Sequence, residues 1–574
     1  MIIGQCLLDY WPAYINEYSS DHHIERILFN NGVALPELTS AASYDFQVIA
    51  PPLRSIMPES QYMPLKYVDL DKYESIFEES CNRLEFIVRS MLKYNIENNI
   101  LTFVSNFFTP IKNPMGQLLP RYDLRNPIFF VEQLNVHLSK FLGGFSNIHL
   151  LDTNQISSTI GKRYVQDDSV SIIVHGSPLV DHAVNIDEQR IEKPSQSITS
   201  KFNADNYGFV CAVWDELISM YRTIMNIDSV KMVVMDLDDT LWRGIAGESG
   251  SIDPMMQIEG WPLGVAEALT YLKRRGIILA IVSKNEESVV RNLWLGAYQN
   301  RLDLDKFSFI RINWKPKYEN ILELIKIANI LPSSVVFVDD NPVERESVMA
   351  AIPGIRVLGD DPYLTRTALL WASETQVRYV TDESGRRGEM MKAQEQREIQ
   401  KVAMSRPDFL LSQNIKIKFD YVLSKNDKKY PRAFELINKT NQFNTTGKRW
   451  TEEEMAYSFN SGIKMAVFHV DDRFTNYGLV GVILISGSRI IQFVMSCRVL
   501  GMDVELGVLC KVCTDILNIS GNGSDVNAFL THTDANFPCR DLYQKANFIL
   551  GQDSSWHLKS SLLPKIPTHL NFAV

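Results

Sequence analysis

Long apolar runs are missing from this 574-residue chain: no stretch of about 18 consecutive apolar residues occurs, so no segment has the length of a membrane-crossing helix. Cysteine is scarce and irregular. Seven thiols, Cys6, Cys81, Cys211, Cys497, Cys510, Cys513 and Cys539, are scattered over the chain. That is unlike the dense, even spacing of a secreted disulfide framework, and reduced thiols are expected. An excess of basic charge is missing too. Lys and Arg number 58 against 68 Asp and Glu, for a formal net charge of −10, and no concentrated Lys/Arg stretch supplies the footprint that phosphate-backbone binding leaves. Neither nucleic acid nor a membrane is an expected partner. The opening MIIGQCLLDYWPAYINEY meets acidic and polar residues too early for a secretory signal, so a cytoplasmic location is expected. Repeats and low-complexity tracts are absent. What is present is ordinary globular material, 45% hydrophobic and 10% aromatic, enough for several cores; at roughly 150 residues per domain the length suggests three or four.

The middle third has the clearest rhythm. Apolar KMVVMDLDD (231–239) reads as a buried strand, VAEALTYLKRRG (265–276) as a helix with a Gly stop, and IILAIVSKN (277–285) as a second strand. The helical EESVVRNLW, strand FSFIRI, helix YENILELIKIANI, strand SSVVFVDDN and a helix opened by Pro342 follow. Such alternation argues for a parallel sheet covered by helices. Residues 1–225 read as a separate α/β domain, 226–380 as the central domain and 381–404 as a charged linker whose pattern is that of a solvated helix. Residues 405–574 read as an α+β domain with a mostly antiparallel sheet, from strands such as IKIKFDYVL, IKMAVFHV and GLVGVILISGSRIIQFVMSCRV.

Polar residues that carry chemistry sit at the ends of the central strands. Asp236 and Asp238 stand two apart where KMVVM ends; Ser283 follows IILAIV, Lys317 lies in NWKPK, and Asp339–Asp340 follow SVVFV. Ligands of open parallel sheets bind outside the carboxyl ends of the strands, so these groups are expected around one crevice. Carboxylates crowded at one point repel and need a hard cation, and Mg²⁺ favours a few carboxylates together with phosphate oxygens. One carboxylate can then accept a phosphoryl group while a second handles the leaving-group proton, with Lys317 and Ser283 holding phosphoryl oxygens. The expectation is a Mg²⁺-dependent phosphatase or phosphotransferase. A lone Asp-x-Asp at a strand end is ordinarily a solvated turn, and Lys317 alone a surface residue; four motifs in order outweigh that reading.

DLDDTLW, SKN, NWKPK and VDDNPVER, in this order over roughly 231–375, resemble the haloacid-dehalogenase (HAD) superfamily, subfamily IIIC, which implies a Rossmann-like core. Carried over from that resemblance, Asp236 is the nucleophile and Asp238 the general acid/base. Thr240, Ser283, Lys284, Lys317 and Asn341 are the substrate-binding positions, with Lys315 an alternative to Lys317. Asp236, Asp238, Asp340 and Asp339 are the expected Mg²⁺ ligands. The strings DLDDTLWRGIAGESG, LINKTNQFNTTGKRW, NYGLVGVILI and SCRVLGMDVE resemble a narrower group, the FkbH-like proteins. That resemblance implies an enzyme that takes D-1,3-bisphosphoglycerate, captures its glyceryl group as a thioester, removes the remaining phosphate and delivers glyceryl to the phosphopantetheine arm of an acyl carrier protein, for polyketide or related secondary-metabolite biosynthesis. Competing expectations are a plain HAD phosphatase on a small sugar phosphate or polysaccharide precursor, and a carrier-binding module with vestigial catalysis.

Cys497, within SCRVLG, is the first candidate for the acyl-accepting thiol, beside the reading of a small buried hydrophobe; Arg498 adjoins it. Cys510 and Cys513 form a C-x-x-C without a second pair and are expected to be core thiols. The C-terminal domain resembles the GNAT acetyltransferase fold, but the loop that cradles a pyrophosphate there reads Arg498-Val-Leu-Gly501-Met-Asp503, and Asp503 would repel a phosphate. The N-terminal domain resembles SGNH-hydrolase-like domains. Cys6, Ser105–Asn106, and either Asp181–His182 or His175 fall where a second site would lie, and a scaffold or docking role is favoured over catalysis.

Overall fold

The structure, a computed structural model, describes residues 1–5, 8–29, 34–38, 40, 43–179, 198–245, 260–298, 301–380, 385–520, 525–533, 535–552 and 554–573. Its contacts divide the chain into two compact units, Met1–Ile218 with Thr451–Glu454, and Ser219–Trp450 with Met455–Val574.

The first unit is built on five strands: β1 (Ile2–Gly4), β2 (Arg26–Leu28), β3 (Gln47–Ile49), β4 (Thr102–Ser105) and β5 (Ile148–Leu151), in the order β2-β1-β3-β4-β5. Every pairing is parallel. Helices α1 (Leu70–Met91) and α2 (Pro127–Leu142) contribute buried Leu84, Val88 and Met91, and Phe130, Leu134 and Leu138, to one core with Ile3, Ile49 and Val104.

The second unit holds two sheets. In the central one, β6 (Met232–Met235), β7 (Ile278–Ser283), β8 (Phe309–Ile312), β9 (Val335–Val338) and β10 (Arg356–Leu358) run parallel in the order β10-β9-β6-β7-β8. A parallel sheet covered on both faces needs strands without polar alternation, and MVVM, ILAIVS and VVFV are buried at every position. Helices α3 (Trp261–Arg274), α4 (Glu287–Tyr298), α5 (Lys317–Ala328), α6 (Pro342–Ala351) and α7 (Pro362–Trp371) supply the crossovers and cover. Two separate apolar clusters, one containing Val233, Met235 and Leu269 and the other Val234, Leu324 and Phe337, form the cores on its two faces.

Helix α8 (Arg387–Ala403) follows, and here the structure differs from the charge pattern. The stretch read as a solvated linker helix carries Met390 into the C-terminal core and Met391 into the central core. Arg397 is 2% exposed, lying 3.3 Å from the Arg498 carbonyl and 3.4 Å from the Asp472 carboxylate, and Glu395 takes an ion pair from Arg311 at 2.5 Å. The charges are therefore partly internal pairs, which a charge pattern alone does not separate from a solvated face. This double-sided helix is one reason the central and C-terminal regions, read as separate domains, belong to one compact unit.

The third sheet has eight strands: β11 (Ile415–Val422), β12 (Lys464–Asp471), β13 (Asn476–Ser486), β14 (Arg489–Met495), β15 (Val526–Ala528), β16 (Ile549–Leu550), β17 (Trp556–Leu558) and β18 (Leu570–Ala573). Pairing is antiparallel from β11 through β14 and parallel for β14 with β15 and β11 with β18. Helices α9 (Tyr430–Lys439) and α10 (Val504–Ser520) flank it. No helix among the described residues is long and apolar enough to cross a membrane.

Glu505, in the first turn of α10, has a buried Oε2 with no hydrogen-bond donor, and burial pushes its carboxyl up to about 7. A folded-state pKa above the unfolded one favours the fold at low pH, and that advantage fades as pH rises through about 7. Glu505→Gln is expected to raise unfolding free energy by about 1–2 kcal/mol at high pH, with the gain vanishing well below the unfolded carboxyl pKa. Urea denaturation at the two pH extremes checks it; a pH-independent effect would contradict it.

Candidate active site

The carboxyl edge of the central sheet gathers the acidic residues. The Asp236 amide donates to the Val338 carbonyl at 2.9 Å, which continues the β6–β9 ladder one residue past the strand. The chain then turns sharply: the Leu237 carbonyl accepts from the amides of Thr240, Leu241 and Trp242, and Asp239 takes a left-handed φ of 49°. This turn is what aims Asp236 and Asp238 out of the sheet. On the neighbouring strand β9, Asp339 and Asp340 emerge at the same edge, Asp339 fully buried and Asp340 exposed.

Lys317 opens α5, immediately after Pro316, and is 5% exposed. Its Nζ lies 2.6 Å from Asp339 Oδ2 and 3.0 Å from Asp236 Oδ1. Burial alone would lower the ammonium pKa, but the two carboxylates overturn that effect and raise it. Burial pushes both aspartates above the usual carboxylate range against the opposing Lys317, with Asp339 adding to the rise at Asp236 and Asp340 to that at Asp339. Thr240 Oγ1 lies 3.3 Å from Asp340 Oδ1 and accepts from the Asp340 amide at 2.9 Å. Asp339 Oδ1 accepts from the Asn341 amide at 3.0 Å, and Arg345 donates to the carbonyls of Asp339 and Asp340 at 2.6 and 2.7 Å.

Carboxylate oxygens of Asp236, Asp339 and Asp340 lie within 4.8 Å of one another. Asp236 Oδ1 is buried and receives no aligned hydrogen bond. An all-oxygen donor set of three carboxylates facing one ammonium fits a hard divalent cation such as Mg²⁺. Asp238, expected among the ligands, is not in this group. Its Oδ1 accepts from Trp242 Nε1 at 2.8 Å and its Oδ2 from Asn285 Nδ2 at 3.0 Å, which fixes the orientation of the carboxyl.

The substrate-binding expectations divide in the same way. Ser283 ends β7 at the site edge, 3% exposed, and its hydroxyl has no hydrogen bond among the described residues. Lys284 is committed to Glu344 at 2.5 Å, and Asn341 caps α6 by accepting from the Val343 amide at 2.9 Å. Lys315, the alternative to Lys317, follows exposed Trp314 and is itself exposed. Residues that sequence reasoning left unassigned are Asn285, Trp242, Arg345 and Gly359. Gly359 has φ +115°, and a Cβ there would sit 2.3 Å from the Asp339 carbonyl oxygen. Asn285 stands in the SKN string; no local signal marks Gly359.

Cys497 is half-buried in a short turn, Cys497–Val499, away from the carboxylates, and lines a separate cavity. Cys510 and Cys513 are buried in α10, with burial pushing the Cys510 thiol up to about 11 and the Cys513 thiol up further; they are core thiols. Asp503, with φ 58°, is paired with Arg406 at 2.6 Å. In the first unit, Ser105, Asn106 and His175 line a cavity of about 70 Å³ at the carboxyl edge of the sheet. His175 Nδ1 is hydrogen-bonded to Asp167, a partner the sequence reading did not name. Cys6, Asp181 and His182 lie outside the described residues.

No family model and no curated protein matches the chain. Among solved structures, it is similar to the N-terminal part of protein BF1531 from Bacteroides fragilis, described as containing a phosphatase domain complexed with Mg. The identity there is 20%, covering 65% of this chain and 93% of that one, with a TM-score of 0.44. It is also similar to 3-deoxy-D-manno-octulosonate 8-phosphate phosphatases from Moraxella catarrhalis and Haemophilus influenzae. Identities are 16% and 14%, over 26% of this chain in both cases and 89% and 91% of those chains, with TM-scores of 0.18 and 0.19.

Because Gly359 leaves Asp339 its place, Gly359→Ala is expected to cost about 2–3 kcal/mol of stability and to weaken Mg²⁺ binding. Denaturant melts and calorimetric titration with Mg²⁺ check this; unchanged stability and affinity would contradict the assignment.

Proposed function

We propose that the carboxyl edge of the central sheet is a Mg²⁺-dependent phosphoryl-transfer site of the HAD type. The observation that carries this reading is Lys317 held between Asp236 and Asp339 at 3.0 and 2.6 Å, with Asp340 completing a cluster of carboxylate oxygens within 4.8 Å. Bound Mg²⁺, held by Asp236, Asp339 and Asp340, would supply charge neutralisation for the phosphoryl oxygens. The protein's own groups divide the rest. An Asp236 oxygen attacks phosphorus as the phosphorus–oxygen bond to the substrate breaks, and the Asp238 carboxyl delivers its proton to the departing oxygen. Water then attacks the aspartyl phosphate while Asp238 takes the proton back, releasing phosphate and restoring Asp236. Trp242 and Asn285 hold Asp238 in position for both transfers; Lys317 and the free Ser283 hydroxyl bind phosphoryl oxygens.

The finer reading is glyceryl transfer, supported by the motif strings resembling FkbH-like proteins and by the placement of Cys497 beside a cavity. In it, the Cys497 thiolate attacks the acyl carbon of D-1,3-bisphosphoglycerate and expels phosphate. The glyceryl thioester passes to the thiol of an acyl carrier protein, and the phosphate monoester is cleaved at Asp236. Incubating the protein with Mg²⁺, a bisphosphoglycerate source and holo carrier protein tests it by mass spectrometry. A glyceryl increment on the carrier is expected; phosphate release without it would leave a plain phosphatase, and neither product a binding module.

Two substitutions separate the steps. Asp236→Asn should cut phosphate release by at least about 10³-fold, since an amide does not attack phosphorus; retained turnover would contradict the nucleophile assignment. Cys497→Ala should abolish acyl loading and leave hydrolysis of a simple phosphate monoester within about twofold. If loading persists, Cys6 becomes the candidate thiol.

A further inference from the structure

At the opposite, amino edge of the same sheet lies a cavity of about 100 Å³, bounded by the central sheet, α8, α9 and the Cys497 turn. By the measure in which one water takes roughly 10–15 Å³, a molecule of a few heavy atoms enters with space to turn. Six cations line it: Lys231 before β6, Arg275 before β7, Arg387 at the start of α8, Arg432 and Lys439 from α9, and Arg498 beside Cys497. Glu435 of α9 pairs with Arg432 at 2.6 Å and with Lys439 at 2.8 Å. The cations remain in excess, because no carboxylate stands among the described residues that line the cavity.

The thiol in this lining differs from the other described cysteines. Cys81, Cys211, Cys510, Cys513 and Cys539 are buried, and burial holds each of those thiols above its ordinary value. Cys497 is half-buried and faces the basic cluster. Lys231 makes no side-chain hydrogen bond or ion pair among the described residues. Arg432 is 7% exposed, and its Nε is buried without an acceptor. Burial lowers Lys231, Arg387 and Arg498, the last to about 9, and a Cys497 thiolate acts against that lowering at all three. Negative charge on this sulfur therefore neutralises positive charge that the fold has buried in excess.

We propose that Cys497 is an oxidant-sensitive modification site, at which a small hydroperoxide admitted to the cavity converts the thiol to a sulfenic acid held among Lys231, Arg387 and Arg498. Partly exposed thiols in electropositive surroundings are the ones oxidised, because the thiolate is the nucleophile. The sulfur forms a bond to one peroxide oxygen as the oxygen–oxygen bond breaks. The second oxygen departs as hydroxide and becomes water with the proton that the thiol gave up to solvent. Sulfur loses two electrons and the peroxide gains them. The cations stabilise the charge on the departing oxygen and donate hydrogen bonds to the oxygen left on sulfur. No second cysteine lines the cavity among the described residues, so the sulfenic acid has no neighbouring thiol with which to close a disulfide. It persists until an external thiol reduces it. An oxygenated sulfur no longer attacks carbon, so the same event would stop acyl loading; that consequence rests on the glyceryl-transfer reading, and the oxidation itself does not.

The test uses the reduced full chain in EDTA, with stoichiometric hydrogen peroxide as probe and dimedone to trap sulfenic acid, read by peptide mass spectrometry. The Cys497 peptide should gain the adduct at least about tenfold faster than the peptides of the five buried cysteines. Dithiothreitol added before dimedone should abolish the adduct, and in denaturing urea the preference for Cys497 should vanish. Lys231→Met, its fold checked by circular dichroism, should slow oxidation at Cys497 at least about fivefold; Arg387→Gln is the second variant should the first misfold. Adduct spread evenly over the cysteines of the folded protein, or rates unchanged in both cation variants, would overturn the site. A disulfide from Cys497 to another cysteine of the chain in place of the adduct would overturn it too. No acyl substrate is present, so failure here leaves the glyceryl-transfer reading standing, and failure of carrier loading leaves this site standing.

Discussion

One ammonium between two buried carboxylates is the constraint on which the carboxyl edge of the central sheet depends. Asp236 and Asp339 emerge from adjacent parallel strands and are buried; without a cation between them both could not remain ionised so close together. Lys317 supplies that cation from the start of α5. Its own side chain is buried, so neither partner relaxes into water. Around this triad the backbone is fixed by short-range devices: the turn at Leu237, the Thr240 link to Asp340, the Asn341 cap and the glycine at 359. The result is a rigid set of oxygens with a charge imbalance that a divalent cation would correct.

Strand polarity then places a second polar region as far from the first as the sheet allows. Parallel strands put all carboxyl ends on one edge and all amino ends on the other, so Lys231 and Arg275 cannot approach the aspartates. They meet instead cations from α8, α9 and the turn at Cys497. Helix α8 makes this possible, because adjacent residues Met390 and Met391 enter different cores and the helix joins the central and C-terminal sheets in one unit. The acidic cluster at one edge and the basic cluster at the other are consequences of one sheet and one bridging helix.

Much of this was legible in the sequence, for physical reasons. Buried parallel strands need unbroken apolar runs, so MVVM, ILAIVS and VVFV announced themselves, and the rule that ligands gather at carboxyl ends pointed to Asp236, Ser283 and Asp339–Asp340. The antiparallel core of the third sheet was visible in apolar β-rich runs. Other features left no local trace. Lys284 and Asn341 stand in the motif strings, and nothing in those strings signalled that the one pairs with Glu344 and the other caps α6. The charges of α8 read as solvated because pairing across elements is invisible to helical periodicity. The cavity cations are drawn from positions between 231 and 498, each unremarked in its own segment.

The central claim is that Asp236 itself accepts the phosphoryl group, with its neighbours serving that step. Acid quenching of the protein during turnover of a phosphate monoester, followed by peptide mass spectrometry, measures this directly. The account predicts a phosphoryl increment, labile to hydroxylamine, on the peptide carrying Asp236. Turnover with that peptide unmodified, or the increment on another side chain, would contradict it.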